Sequence, residues 1–237
     1  RPPVPLRALS RPSVRTRFAP SPTGRLHLGI VRTALFNFLA ARGAGGQFVI
    51  RSEDTDADRS DERWLEAALG ELTWLGMSWE EGPDVSGDRG PYRQSERAEF
   101  YAEALEQLKS RGAAYPCFRT DDELAAHRKS QIAAGRPPRY DREWARLDPA
   151  EVRRREAGGQ APVWRFRVPP GRSIEWRDLV RGPQRVASRE IGDFVLVRSG
   201  GAPGFLFGNA VDDALMGITD VLRGEDHTSN TPRQLLI

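Results

Sequence analysis

The run Arg17-Phe-Ala-Pro-Ser-Pro-Thr-Gly-Arg-Leu-His-Leu-Gly29 constrains the fold of this chain more than any other stretch. Val14 to Phe18 reads as a short strand, and Pro20, Pro22 and Gly24 make the loop that follows it. A helical period begins just after His27. Leu28, Val31, Leu35, Phe38 and Leu39 fall on one face, and Gly43 suits the left-handed position that ends a helix. A strand that delivers a helix N-terminus through a turn creates an anion site, because the first N–H groups have no partner within the helix and the dipole favours negative charge. His27 adds two ring nitrogens there, and Gly29 leaves room for a ligand against the backbone. A lone His-x-Gly is better explained as a Pro/Gly turn with a capping His. The strand–turn–helix context raises the longer run above that reading.

The pattern continues as an α/β chain. Gln47 to Arg51 reads as a buried strand, followed by the acidic run Ser52-Glu-Asp-Thr-Asp56. Carboxylates at the C-terminal end of a strand fit the crevice where open α/β sheets bind ligands. They fit a solvated turn equally, with Asp58 or Ser60 capping the next helix. Trp64, Leu65, Ala68, Leu69, Leu72 and Leu75 make one helix face, closed by Gly76, and a second helix spans about Ser95 to Gly112 with Tyr101, Ala104, Leu105 and Leu108 inward. From about Ala113 the character changes to a polar helix (Asp121 to Ala133), a Pro-rich turn (Arg136 to Asp141) and short strands such as Val163 to Val168 and Phe194 to Val197. Ile218 to Leu222 suits an inner parallel strand, which would carry Arg223 to its C-terminal end, beside Arg17 and Glu53. Thr231 can cap a last helix with Pro232 at its first position, leaving Leu235, Leu236 and Ile237 exposed.

These segments give a Rossmann-like parallel sheet with an α+β insertion, divided as a disordered Pro/Arg-rich tail (1–13), a first half of the nucleotide-binding domain (14–112), an inserted domain (113–196) and a second half (197–237). A single cysteine, Cys117, excludes a disulfide framework or a four-thiolate zinc site within the chain. No run approaches the roughly 20 apolar residues of a membrane span. A cytoplasmic monomer is expected. The net charge of +3 is compatible with a nucleic-acid partner without requiring one.

The opening run resembles the signature of glutamyl-tRNA synthetases, class I aminoacyl-tRNA synthetases. His27-Leu-Gly-Ile30 stands at the HIGH motif of the class, with Ile30 replacing the last His, and Ala19-Pro-Ser-Pro-Thr-Gly24 is more specific still, since glutaminyl enzymes have a loop closer to Pro-Pro-Glu-Pro-Asn-Gly. The resemblance continues in Glu53-Asp-Thr-Asp56, Glu81-Gly-Pro83, Gly90-Pro-Tyr-Arg-Gln-Ser-Glu96, Asn209-Ala-Val-Asp-Asp213, Met216-Gly-Ile-Thr219, Leu222-Arg-Gly-Glu-Asp-His227 and Ser229-Asn-Thr-Pro232. It covers about Val14 to Ile237.

What the resemblance implies is two-step chemistry. The α-carboxylate of L-glutamate attacks the α-phosphorus of ATP, releasing pyrophosphate, and a terminal ribose hydroxyl of tRNA then takes the glutamyl group. By the same resemblance, Arg17 and Arg223 take the side-chain carboxylate of glutamate, Glu53 faces its ammonium group, and Ala19, Ser21, Phe205 and Asn209 add contacts. Many members have Tyr where Phe205 stands. Ser21, Thr23, His27, Gly29, Asp226 and His227 are implied on the ATP side, with His27 and Gly29 as the catalytic pair at the phosphates. Mg2+ arrives with ATP, and the inserted domain meets the tRNA acceptor end. Arg153 to Arg155 in that insertion suit phosphate, although a solvated helix face explains the run more simply.

The pattern departs from the family in two places. Some members hold zinc with a Cys-x-Cys pair and a later Tyr-x-x-x-Cys. Here Cys117 and Tyr140 remain, but Arg119 and Trp144 replace the other thiols, so no metal is expected and Cys117 reads as a small buried hydrophobe. The second class signature, KMSKS-like, needs lysines, and the only two, Lys109 and Lys129, stand in no such context. The 237 residues alone are therefore expected to form little glutamyl-adenylate. Three other readings stay open: a shortened paralogue that glutamylates a modified tRNA base, a non-catalytic nucleotide- or tRNA-binding module, and a small-molecule adenylyltransferase. The last does not account for the later motifs.

Overall fold

A computed structural model gives the fold, and it describes residues 13–56, 58–138, 140 and 142–237. The expected N-terminal tail thus lies outside the described residues except for Ser13, as do residues 139 and 141 of the Pro-rich turn. The chain forms two compact units. The first runs to Glu96 and takes in Ala214–Gly224, and the second consists of Arg97–Asp213 with Glu225–Ile237.

The first unit is built on β1 (Arg15–Phe18), α1 (Leu28–Gly43) and β2 (Gln47–Ile50). The strands pair in parallel from Arg15 opposite Gln47 to Phe18 opposite Ile50, with α1 as the crossover. Gly46 stands where the chain enters β2, and a Cβ there would lie 2.0 Å from the carbonyl oxygen of Val14, so only glycine fits. Val49 of β2 meets Glu81 through a parallel bridge, and Ser52, just past the strand, meets Arg93 in the same way, with Ile50 N–H donating to Glu81 O at 2.9 Å and Ser52 N–H to Tyr92 O at 2.8 Å. Helix α2 (Glu62–Trp74) follows. Phe18, Ala34, Ala41, Phe48, Ile50, Leu72 and Met77 form the core of this unit.

Four local expectations are corrected here. The buried stripe of α1 is Ala34, Asn37 and Ala41, flanked by Ile30, Val31 and Phe38, whereas Leu28, Leu35 and Leu39 are exposed. The alanines allow the helix to lie close to the strands, and this turns the larger leucines outward. The left-handed residue after α1 is Gly45 (φ +62°), not Gly43, which is the last helical residue. The cap of α2 is Asp61, whose carboxylate accepts from Arg63 N–H at 2.9 Å, rather than Asp58 or Ser60, and Leu75 at the end of that face is exposed. Ile218 to Leu222 is not a strand. Thr219 N–H donates to Arg15 O at 2.9 Å, but Arg15 N–H is answered by the Thr219 hydroxyl at 2.7 Å, so a side chain takes the place of the next ladder carbonyl.

The second unit contains α3 (Ala98–Ser110), β3 (Ala114–Cys117), α4 (Asp121–Ala133), α5 (Pro149–Ala157), β4 (Val163–Phe166), β5 (Ser173–Asp178), β6 (Gly182–Ala187), α6 (Ser188–Ile191) and β7 (Phe194–Val197), then α7 (Phe205–Leu215), which continues into the first unit, and α8 (Thr231–Gln234). Strands β3, β4 and β7 form an antiparallel sheet in that order, and β5 and β6 form a hairpin. The polar helix α4 has the expected bounds, because Thr120 and Glu123 close a capping box at its start. Tyr101, Leu108, Phe166, Val168, Phe194, Leu196 and Phe207 belong to the core, and Leu236 and Ile237 pack against it, so of the last three residues only Leu235 is exposed. Thr231 is the first residue of α8 rather than its cap, which is Asn230.

Candidate active site

The site begins where β1 and β2 end. Arg17 is buried on β1 opposite Val49. Beyond the strands the two segments stay zipped together. Arg51 N–H donates to Phe18 O at 2.9 Å, Glu53 N–H to Pro20 O at 2.9 Å and Asp61 N–H to Pro22 O at 3.0 Å. The loop bearing Ala19, Ser21 and Thr23 is thereby fastened to the acidic run, and Ser21 and Thr23 keep exposed side chains. Asp54 accepts from Ser95 N–H and Oγ at 2.9 and 2.7 Å, which ties the acidic run to a segment 41 residues on, and Asp56 pairs with Arg59 at 2.6 Å within a local turn. Glu53 differs. Its carboxylate is nearly buried and lies 3.6 Å from Arg51 Nη2, an arginine wholly removed from solvent. Arg51 was not singled out from the sequence. Its position after a buried strand was the available signal.

Helix α1 starts at Leu28 with His27 in the cap position, where its side chain makes no capping bond. The imidazole lies against Gly29 instead. A Cβ on residue 29 would sit 3.2 Å from ring atoms Cε1 and Nδ1, so the glycine first makes room for His27 itself. The first backbone bonds of the turn, Ile30 and Val31 N–H to His27 O, leave the N–H groups of Leu28 and Gly29 ahead of the helical ladder. Arg223 is also in this unit, and the carbonyl before it, Leu222 O, accepts from Asn37 Nδ2 at 3.0 Å.

The second unit carries Phe205, Asn209, Asp226 and His227. Phe205 opens α7, and its ring stacks on the His227 imidazole at a centroid distance of 5.4 Å and an interplanar angle of 25°. The sequence reading put these two residues on different substrates and did not foresee their contact. Asn209 is buried and donates from Nδ2 to Phe205 O at 3.2 Å, one turn back. Asp226 is exposed, 3.5 Å from His227 Nε2, while His227 Nδ1 is 3.1 Å from Asn230 Nδ2. Helix α7 is braced by Asp212, wholly buried, with Arg97 Nε 2.6 Å from Oδ1 and the Tyr101 hydroxyl donating to Oδ2 at 2.9 Å.

A buried polar network of the first unit surrounds Glu81. Its carboxylate accepts both Nη groups of Arg15, at 2.9 and 2.6 Å, and the Tyr92 hydroxyl. The Arg15 hydrogen bonds hold the Glu81 carboxyl below its usual range, and burial followed by the bond to Glu81 pushes the Tyr92 hydroxyl up to about 12.

Cys117 Sγ and the Tyr140 hydroxyl hydrogen-bond at 2.8 Å, so the thiol is a polar partner and not only a small hydrophobe. The Arg165 guanidinium covers the Tyr140 ring at 3.9 Å, and Arg119 also faces it at 5.7 Å. Trp144 lies against Phe118 and Arg155. Among the described residues no group of three or more His, Cys, Asp or Glu side chains could hold a metal ion. Arg154 and Arg155 both engage Glu151 on α5, at 2.5 and 2.7 Å, which suits the solvated-face reading of that basic run.

Together with the parallel β–loop–α start, the likeness to known proteins gives the fold as that of a class I synthetase catalytic domain. The chain belongs to the family described as tRNA synthetases class I (E and Q), catalytic domain, whose model matches residues 13–237. It is 53% identical over 229 residues to glutamate–tRNA ligase 2 of Nitrosococcus oceani, covering 97% of this chain and 48% of that protein. It is 54% identical over 225 residues to glutamate–tRNA ligase 1 of Halorhodospira halophila, covering 95% and 47%. Among solved structures it is similar to a glutamate tRNA ligase from Elizabethkingia meningosepticum in complex with its amino acid, with a TM-score of 0.89 and 39% identity over 95% of this chain and 46% of that one. The chain spans about half the length of these relatives. No helix among the described residues is long and apolar enough to cross a membrane.

Proposed function

We propose that this chain is the catalytic part of a glutamate–tRNA ligase. It forms glutamyl-adenylate from L-glutamate and ATP with Mg2+, then transfers the glutamyl group to the terminal ribose of tRNA. The observation that carries this reading is the run Arg17 to Gly29 laid out as strand, loop and helix, with its loop bonded to Glu53 through Pro20 O. The ligase names of the relatives support it. Arg17 and Arg223 take the side-chain carboxylate, since paired guanidinium forks favour a charged carboxylate over the neutral amide of glutamine. Glu53 faces the ammonium group, with Ala19, Ser21, Phe205 and Asn209 around the amino acid. Ser21, Thr23, His27, Gly29, Asp226 and His227 serve ATP. The helix start of α1 and the His27 ring stabilise charge on the phosphates, so catalysis rests on positioning and electrostatics and needs no protein nucleophile. Residues 113–196 act as the inserted domain that meets the acceptor end of tRNA, between halves 14–112 and 197–237. The protein works in the cytoplasm as a monomer and holds no zinc.

Pyrophosphate exchange with glutamate, ATP, Mg2+ and tRNA tests the reading, on this chain and on one extended through a lysine signature. The extended chain should exchange in a glutamate-dependent manner, and the 237 residues about 10²–10³ more slowly for want of that preorganised charge. An extended chain without glutamate-dependent exchange overturns the function. Equal rates overturn the role given to the lysine signature.

A further inference from the structure

Asn37 is wholly buried in α1. Its Nδ2 donates to two backbone carbonyls, Thr33 O at 2.9 Å within the helix and Leu222 O at 3.0 Å on the segment that leads to Arg223. Its own backbone carbonyl accepts the hydroxyl of Thr16 at 2.9 Å, the residue before Arg17 on β1. Oδ1 is buried without a hydrogen-bond partner. A buried acceptor left idle is unfavourable, so packing alone would be better served by an apolar side chain. What asparagine supplies is the pair of donors, and the flipped amide would set Oδ1 against two carbonyl oxygens.

The segment from Met216 to Arg223 makes this donor matter. It forms no strand with β1. Arg15 holds its first part, through Nε to Met216 O at 2.7 Å and the exchange with Thr219. The bond from Asn37 holds the carbonyl that directly precedes Arg223. One residue of α1 therefore fastens the neighbours of both arginines, Thr16 before Arg17 and Leu222 before Arg223.

We propose that Asn37 is a positioning residue for the amino-acid site. It keeps Arg223 in register with Arg17 so that both guanidinium groups converge on one carboxylate. This rests on the glutamate reading given above. Fork-to-carboxylate recognition is lost with displacements well under the length of a bond, so a tether on the adjoining peptide changes affinity without touching the ligand.

The test is a double-mutant cycle read by calorimetry, with a non-hydrolysable glutamyl-adenylate analogue and ATP as probes. Asn37→Leu should weaken the analogue about tenfold, the scale of a displaced charged hydrogen bond. ATP should change less than about twofold, because the start of α1 lies roughly 15 Å along the helix from Asn37. In the Arg223→Ala background the same substitution should cause no further loss. Asn37→Ser, whose hydroxyl is too short to reach Leu222 O, should repeat the pattern and serves if the leucine variant does not fold. The proposal is overturned if analogue affinity is unchanged, if ATP and the analogue weaken equally, or if the loss is the same with and without Arg223. If Arg17→Ala and Arg223→Ala themselves leave the analogue's affinity unaltered, it is the glutamate reading that fails.

Discussion

Arg15 grips Glu81 with both prongs of its guanidinium, Nη1 2.9 Å from Oε1 and Nη2 2.6 Å from Oε2, and both side chains are buried. The pair joins β1 to the segment that borders β2, and Arg15 Nε reaches on to Met216 O at 2.7 Å. Removing one partner leaves the other charge buried and uncompensated. Glu81→Gln should therefore destabilise the chain by about 3–5 kcal/mol in urea unfolding, whereas Arg15→Met with Glu81→Met should recover most of that loss. A single-variant loss below about 1 kcal/mol would show the pair to behave like a solvated one.

The same network sets a pH dependence. Tyr92 is pushed from 10.0 to about 12, first by burial and then by its bond to Glu81. Between these values the unfolded chain releases the proton that the folded chain keeps, so stability falls as pH rises through that window and is unaffected below it. Burial also raises Tyr115 and Tyr140, which steepens the fall. Tyr92→Phe should make it shallower. Glu81 acts on the acid side. Its folded value is lowered from 4.5, so its contribution is whole above that pH and drains as pH falls through the folded value. Urea midpoints measured across both windows check this, and an unchanged alkaline slope in Tyr92→Phe would contradict it.

The Cys117 neighbourhood leads to a prediction about metal. Its thiol is engaged by Tyr140 at 2.8 Å, and the positions that would complete a zinc set hold Arg119 and Trp144. Purified protein should contain far less than one zinc per chain by elemental analysis, and Cys117→Ser should melt within a few degrees of the parent, as a single-hydrogen-bond change would. Stoichiometric zinc lost in Cys117→Ser would reverse the assignment.

Where local pattern governs structure, the sequence was readable. The strands β1, β2 and β7 and the helices α2 and α4 follow from burial runs, helical spacing and turn residues close at hand. Partners far along the chain decided the rest. Asn37 and Arg15 look like ordinary polar residues in their own segments, and their roles depend on Leu222 and Met216, which lie 185 and 201 residues away. The same long-range exchange with Thr219 turns a strand-like Ile218 to Leu222 into an unladdered segment. In α1 the hydrophobic pattern pointed to the leucines, but small alanines on the neighbouring stripe gave the closer approach to the sheet. Motif matching points to His27, Gly29, Arg17 and Glu53 as candidates, yet it could not show that Gly29 accommodates the His27 ring or that Arg51 stands beside Glu53.

The central claim is that two arginines select glutamate by its side-chain charge. Direct calorimetric binding of the glutamyl-adenylate analogue and its glutaminyl counterpart tests it most plainly. The glutamyl analogue should bind at least about tenfold more tightly, and Arg17→Ala or Arg223→Ala should each weaken it by roughly 1.5–3 kcal/mol while bringing the two analogues closer together. Equal affinity for the two analogues, or glutamyl affinity unaltered in both variants, would contradict the account.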